Sequence, residues 1–226
     1  MRAVKRLDEP QSLKINSAIW TKELLDEVKR LGDYSKVSDS YKSKYNQTDV
    51  KNVLTQMYTN HCCYCEGILG AQTYGRIEHL RPKSLPQFHK LTFAWDNLHW
   101  CCEKCNTNKG KKWDSQFPIL DPTKDNISDH LEINIDSGEY ELVNNSQRGQ
   151  TTIDHTDLNR DDLVEARKKL KIKISKYFSM LPAEKRKCFL EMYKAECEDN
   201  SYPSVIVRAC EILESFIDVK DGKTKR

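Results

Sequence analysis

Two Cys-x2-Cys pairs, Cys62/Cys65 and Cys102/Cys105, bracket a stretch that also carries Glu78-His79 and Asn97, and Asn106 follows the last cysteine at once. Thiolates are soft ligands. Four of them in two such knuckles suit a tetrahedral Zn2+ ion with each sulfur about 2.3 Å away. The 36 residues between Cys65 and Cys102 exceed what a compact zinc ribbon holds, so a subdomain must loop out between the knuckles. Structural zinc would tie the ends of that loop and contribute on the order of 10 kcal/mol to folding. Cys63 and Cys101 sit at poorer spacings, Cys-x-Cys and Cys-x3-Cys, and stay outside the expected site. Cys188, Cys197 and Cys210 fall at helical core spacing and are expected to be buried thiols.

The residues inside the loop suit a different chemistry. Hydrolysis of a phosphodiester needs a base to take a proton from water, a metal ion to neutralise developing charge, and a scaffold that aims them. An imidazole ordinarily titrates near neutrality, so His79 is expected to be the base. The Glu78 carboxylate and the Asn106 amide oxygen are hard donors that suit Mg2+ or Mn2+. Arg81, Lys109, Lys111 and Lys112 adjoin these residues, with Lys83 and Lys104 nearby. They are the candidates for contact with the phosphates of a nucleic acid.

The order Glu-His-x2-Pro from Glu78, Asn97-Leu98, then Cys-x2-Cys-Asn-x2-Lys-Gly ending at Gly110 resembles the HNH (ββα-metal) endonuclease signature. The resemblance implies that His79 is the general base and that Asn97 braces the loop orienting it. It makes Glu78 and Asn106 the ligands of a catalytic Mg2+ or Mn2+. Glu at 78 departs from the usual Asp. A narrower likeness, to the PtuB-like HNH nucleases of Septu and retron antiphage defence systems, rests on several further segments. These are Met-Arg-Ala-Val-Lys-Arg at the start, Tyr64-Cys65-Glu66, Ile77-Glu78-His79, Trp95-Asp96-Asn97-Leu98, and Asp157-Leu158-Asn159-Arg160. It implies an effector subunit that cuts DNA or RNA and works with an SMC/ABC-like (PtuA-like) ATPase. In some systems a retron reverse transcriptase with its RNA–DNA product would be a further partner. The alternative is a zinc-stapled adaptor or binding module with a degenerate nuclease site, for which Glu78 in place of Asp is the support.

Composition sets bounds on both readings. The chain has 226 residues and a net charge of +3, from 37 basic and 34 acidic side chains. That is not the balance of a dedicated nucleic-acid coat, so a local patch or a partner must supply affinity. No apolar run approaches a membrane span, and the basic start lacks an apolar segment behind it. With its nine cysteines read as metal ligands or buried thiols rather than as disulfides, the expectation is a cytoplasmic protein without membrane contact.

The elements that must position these residues are read as an α+β fold: a zinc-stapled ββα-metal core with N-terminal helices, a β-hairpin and a C-terminal helical subdomain. Residues 1–47 are an arm, a helix and a linker. Residues 48–122 are the nuclease core, and residues 123–226 carry the hairpin and the helices that would dock a partner. The arm is expected to be extended through residue 16, because Pro10 argues against a helix there. Apolar spacing predicts helices over 18–31, from Thr48 to Tyr58, over 160–180, from Pro182 through Cys197, and after Pro203. Residues 33–47 read as a solvated linker, 73–80 as a strand, and 81–100 as irregular. A helix is expected from Asn106, and a hairpin over 130–143 around Asp136-Ser137-Gly138. Trp95 and Trp100 are expected in the core, and the polar tail from 218 is expected to fray.

Overall fold

The computed structural model describes residues 1–70 and 73–222. It is a mixed α+β fold with two small antiparallel sheets. Helix α1 spans Gln11–Leu31. It begins directly after Pro10 rather than at 18, because the residue ahead of a helix needs no intrahelical donor. The Pro10 carbonyl accepts from the amides of Leu13 and Lys14 at 3.1 and 2.9 Å. Gly32, with φ 71°, closes the helix.

Residues 33–47 are not the solvated linker that their composition suggests. They hold a 3-10 turn at Tyr34–Lys36 and a short helix α2 at Asp39–Lys42. Their tyrosines turn inward: Tyr34 stacks on His89 and Tyr45 meets His79 edge-on, with ring centroids 4.4 and 4.6 Å apart. Helix α3, Thr48–Met57, buries Val50, Leu54 and Met57 and delivers the chain to the first knuckle. Asp49 accepts from the Ser12 amide and hydroxyl, both at 2.8 Å, and so pins the start of α1 to α3.

Strand β1, Gly75–His79, pairs antiparallel with β2, Leu98–Cys102, placing Gly75 opposite Cys102 and His79 opposite Leu98. The expectation of irregular chain through residue 100 fails because every residue of β2 is buried. A strand covered on both faces shows no alternation. Gly75 is required here, since a Cβ would lie 2.0 Å from the Trp100 ring. Trp95 and Trp100 are both buried. Helix α4 follows β2 without a break and spans Glu103–Lys109. It starts earlier than Asn106 and is closed by Gly110, so Lys111 and Lys112 lie beyond it.

Strands β3 (Leu131–Asn134) and β4 (Glu139–Leu142) form the expected hairpin, with Gly138 at φ 77°. Helix α5, Gln147–Thr156, is an addition to the expected elements. Then come α6 (Asp161–Met180), α7 (Ala183–Ala195) and α8 (Pro203–Gly222). Cys197 falls in a 3-10 turn after α7 rather than within it. Helix α8 carries the chain into the tail as far as Gly222, and the remainder of the expected frayed tail, residues 223–226, falls outside the described residues.

One hydrophobic cluster runs from Met1 and Leu13 through Leu54, Phe93 and Leu98 to Leu131, Tyr140 and Leu158, so it includes residues on both sides of the division expected after residue 122. A second packs α6, α7 and α8 around Ile174, Leu190, Val205, Ile206 and Cys210. Cys210 is buried as expected, but Cys188 is exposed and Cys197 only half-buried. The N-terminal arm straps the back of β2. Arg6 donates to the Leu98 carbonyl at 2.7 Å and lies over the Trp95 ring, 5.1 Å from its centroid. No helix among the described residues is long and apolar enough to cross a membrane.

Candidate functional site

The sulfurs of Cys62, Cys65, Cys102 and Cys105 all lie within 4.8 Å of one another, and all four residues are buried. Two local features bring them together. The 62–65 turn folds back so that the Cys62 amide reaches the Gly67 carbonyl at 2.9 Å. Cys102 caps α4, its sulfur accepting from the Cys105 amide at 3.4 Å. Four converging thiols with no disulfide among them are a donor set that can hold a structural metal such as zinc. Cys63 and Cys101 are buried alongside but outside this set. The Cys63 amide bonds the Trp100 carbonyl at 2.8 Å and so docks the first knuckle onto β2.

Strand β1 presents Glu78 and His79 to a cavity of about 210 Å³, which Tyr45, Lys83 and Asn106 also line. The His79 ring is oriented by the loop between the strands: Nε2 lies 2.9 Å from the Thr92 carbonyl. A carbonyl only accepts, so Nε2 carries the proton. Burial, and after it the Lys83 ammonium, push the imidazole down to about 3. The neutral ring therefore keeps Nδ1 as its unprotonated nitrogen.

Asn97 is fully buried and holds that loop in shape. Its Oδ1 accepts from the Arg81 amide at 2.8 Å, and its Nδ2 donates to the carbonyls of Arg81 and Leu91, both at 3.1 Å. Leu91 is the neighbour of Thr92. One side chain thus ties the exit of β1 to the segment that orients His79.

Glu78 and Lys109 depart furthest from expectation. Lys109 is not on the solvated face of α4 that a phosphate contact would need. Its side chain is fully buried, and its ammonium lies 2.5 Å from Glu78 Oε1 and 2.8 Å from the His79 carbonyl. Burial lifts the Glu78 carboxyl above its ordinary value, against the pull of Lys109. Asn106, three residues earlier on α4, is half-buried at the cavity wall. Lys111 and Lys112 are exposed and Arg81 is half-buried. Lys104 pairs with Asp162 at 3.0 Å.

Sequence reasoning gave no place to Tyr45 or to the Thr92 carbonyl. Tyr45 accepts from Lys83 Nζ at 2.7 Å and walls the cavity from a segment whose composition resembles a linker. The carbonyl has no side-chain signal at all. Three histidines outside the motif have other partners. His99 bonds Tyr58 at 2.6 Å, with Arg6 at 3.3 Å, His61 lies 2.9 Å from the Asn200 carbonyl, and His130 bonds Ser146 at 2.6 Å.

Compared with known proteins, the chain matches no family model. It is 30% identical over 203 aligned residues to the Septu protein PtuB of Bacillus mycoides (strain KBAB4), covering 75% of this chain and 67% of that protein. It is 30% identical over 160 aligned residues to the Septu protein PtuB of Bacillus thuringiensis, covering 70% of this chain and 55% of that protein.

Proposed function

This chain belongs to the family of the Septu protein PtuB, and on that premise we propose that it is a metal-dependent HNH endonuclease, the effector of a Septu-type antiphage defence complex. The observation that carries the reading is the His79 imidazole. It is held neutral in a cavity, with one nitrogen committed to Thr92 and the other free to accept a proton. The succession of β1, β2 and α4, with Glu78 and His79 on the first strand and Asn106 on the helix, supports a ββα-metal core.

His79 Nδ1 takes the proton of a water molecule as that water attacks phosphorus. Asn97 and Thr92 keep the ring in place, which is where most of the advantage of a pre-aimed base lies. Glu78 and Asn106 offer one anionic and one neutral oxygen in the same cavity. That donor set fits Mg2+ or Mn2+, which keep several waters and bind substrate phosphate directly. The ion, when bound, neutralises charge on the phosphate and on the leaving oxygen. Lys109 holds one oxygen of Glu78 and favours the charged form of the carboxyl against its burial. Arg81 precedes the cavity residue Pro82, and Lys111 and Lys112 follow the cavity residue Gly110, so they are the candidates to meet the flanking phosphates of DNA or RNA. The small net charge leaves affinity to be supplied by a partner, an SMC/ABC-like ATPase or, in a retron setting, a reverse transcriptase with its RNA–DNA product.

The Glu78–Lys109 pair also favours a second reading. A carboxylate satisfied within the fold suits a zinc-stapled adaptor whose nuclease site is degenerate.

The deciding experiment compares wild type with His79→Ala on supercoiled plasmid and on cellular RNA, in Mg2+ or Mn2+, with and without chelator, alone and with the proposed SMC/ABC-like ATPase partner. We expect cleavage by wild type only, lost on chelation, with zinc content equal in the two proteins. Equal cleavage by both proteins would remove His79 as the base. No cleavage by zinc-loaded wild type even with the ATPase would favour the adaptor.

A further inference from the structure

The segment Asp157-Leu158-Asn159-Arg160 turns the chain from α5 into α6 beside the zinc knuckles. Asp157 takes a left-handed conformation, φ 53° and ψ 51°, and ends α5. Leu158 is fully buried. Asn159 grips β4 from the side, accepting from the Tyr140 amide at 2.8 Å and donating to its carbonyl at 2.9 Å. With the turn anchored at these points, the Arg160 side chain, 8% exposed, reaches back towards the cysteines. Its Nη1 donates to Cys105 Sγ at 3.4 Å and to the Asp157 carbonyl at 3.1 Å, and its Nε lies 3.0 Å from Asp162 Oδ1.

The same turn and the first residues of α6 hold α4 at two more points. Lys104 pairs with Asp162 at 3.0 Å and Asn108 donates to Asp157 at 3.3 Å. Lys104, Cys105 and Asn108 recur at the spacing of one helix face. The neighbouring residue Asn106 lines the cavity.

We propose that Arg160 is a positioning residue of the zinc centre. Its guanidinium donates an N–H to the Cys105 thiolate, offsets the excess negative charge of a four-thiolate zinc site, and sets the seat of α4 through that sulfur. The proposal rests on the reading of the four cysteines as a zinc site. Partners around the ligands of a metal commonly set ligand orientation and basicity, and their loss typically weakens metal binding 10–100-fold. A thiolate that loses an N–H donor becomes a stronger electron donor. In a cobalt-substituted site its sulfur-to-cobalt charge-transfer absorption then moves to lower energy.

The test uses the full chain as wild type, Arg160→Met, Arg160→Lys and Asn159→Ala. The last loosens the turn without touching sulfur. Zinc stoichiometry and the cobalt spectrum of wild type come first: no tightly bound zinc, or no four-thiolate spectrum, refutes the zinc reading itself. Given a zinc-binding wild type, Arg160→Met should lose zinc to a chromogenic chelator roughly 10–100-fold more readily, with its charge-transfer band shifted to lower energy. Asn159→Ala should leave the band where it is, and Arg160→Lys should fall between wild type and Met. An unshifted band in Arg160→Met, or an equal shift in Asn159→Ala, overturns the proposal. Should Arg160→Met fail to fold, the band of Arg160→Lys decides by the same criterion.

Discussion

Lys109 Nζ lies 2.5 Å from Glu78 Oε1, the two side chains 0% and 4% exposed. Removing one member of a pair this dry strands a charge in the interior, which costs about 3–5 kcal/mol. We therefore expect Lys109→Met to lose stability of that order in urea unfolding. The double variant Glu78→Gln with Lys109→Met should recover much of it, because no charge is left unpaired. A double variant as unstable as the sum of the two single ones would show that the pair is not coupled.

Acid should destabilise the fold well above the range where carboxylates titrate. His79 sits near 3 in the folded chain against 6.5 for an ordinary imidazole. The unfolded chain binds more protons throughout that window, so this contribution is complete above 6.5 and is lost as pH falls towards 3. His99, buried beside Arg6, is also held low and acts in the same direction. Glu66 is held at about 2: burial would raise it, but the Met1 amino group and Ser204 hold it down, so it matters only at lower pH. Between about pH 7 and about pH 5, His79→Gln should lose roughly 2 kcal/mol less than wild type. Denaturant titrations at both values, with zinc followed in the same samples, give the comparison. Parallel pH dependence in the two proteins would remove His79 from the account.

Asn97→Ala strands the Arg81 amide and two carbonyls inside the protein. At about 1–3 kcal/mol for a stranded group, the loss should be plain in thermal or chemical unfolding. Asn97→Asp restores the acceptor for the Arg81 amide but turns a carboxylate oxygen towards the Leu91 and Arg81 carbonyls, so it should rescue poorly. If the chain cleaves nucleic acid, Asn97→Ala should also slow it by roughly 100-fold, the effect of displacing a pre-aimed group by about 1 Å. Zinc content should not change. A variant with wild-type stability would contradict the three hydrogen bonds seen at this residue.

Much of this architecture is legible in the sequence alone. The spacing of Cys62, Cys65, Cys102 and Cys105 marks a group that can hold one metal ion, and the four sulfurs do converge. The hairpin around Asp136-Ser137-Gly138 and the helices after residue 160 agree with apolar periodicity. The features that escape a sequence reading lack a local signature. β2 is covered on both faces and shows no alternation. α5 carries Gly149 together with Thr151, Thr152 and Thr156, so its helical face is weakly marked. Lys109 reads like Lys111 and Lys112 in sequence, and only tertiary packing sends it inward while they stay exposed. The tyrosines of 33–47 mark an ordered wall only once His79 and His89 are known to face them.

Both knuckles lean on residues far downstream in the chain. Glu66, next to Cys65, accepts from the Ser204 amide and hydroxyl at 2.9 and 2.8 Å and from Tyr140 at 3.0 Å, while Arg160 reaches Cys105. Residues 48–122 would therefore not behave as a portable cassette. Grafted onto another scaffold, they would bring all four cysteines along with a carboxylate and a sulfur shorn of their companions. Recombination within such a lineage would have to exchange the cysteine-rich segment together with residues 140, 160 and 204, so these distant positions are bound to a shared inheritance.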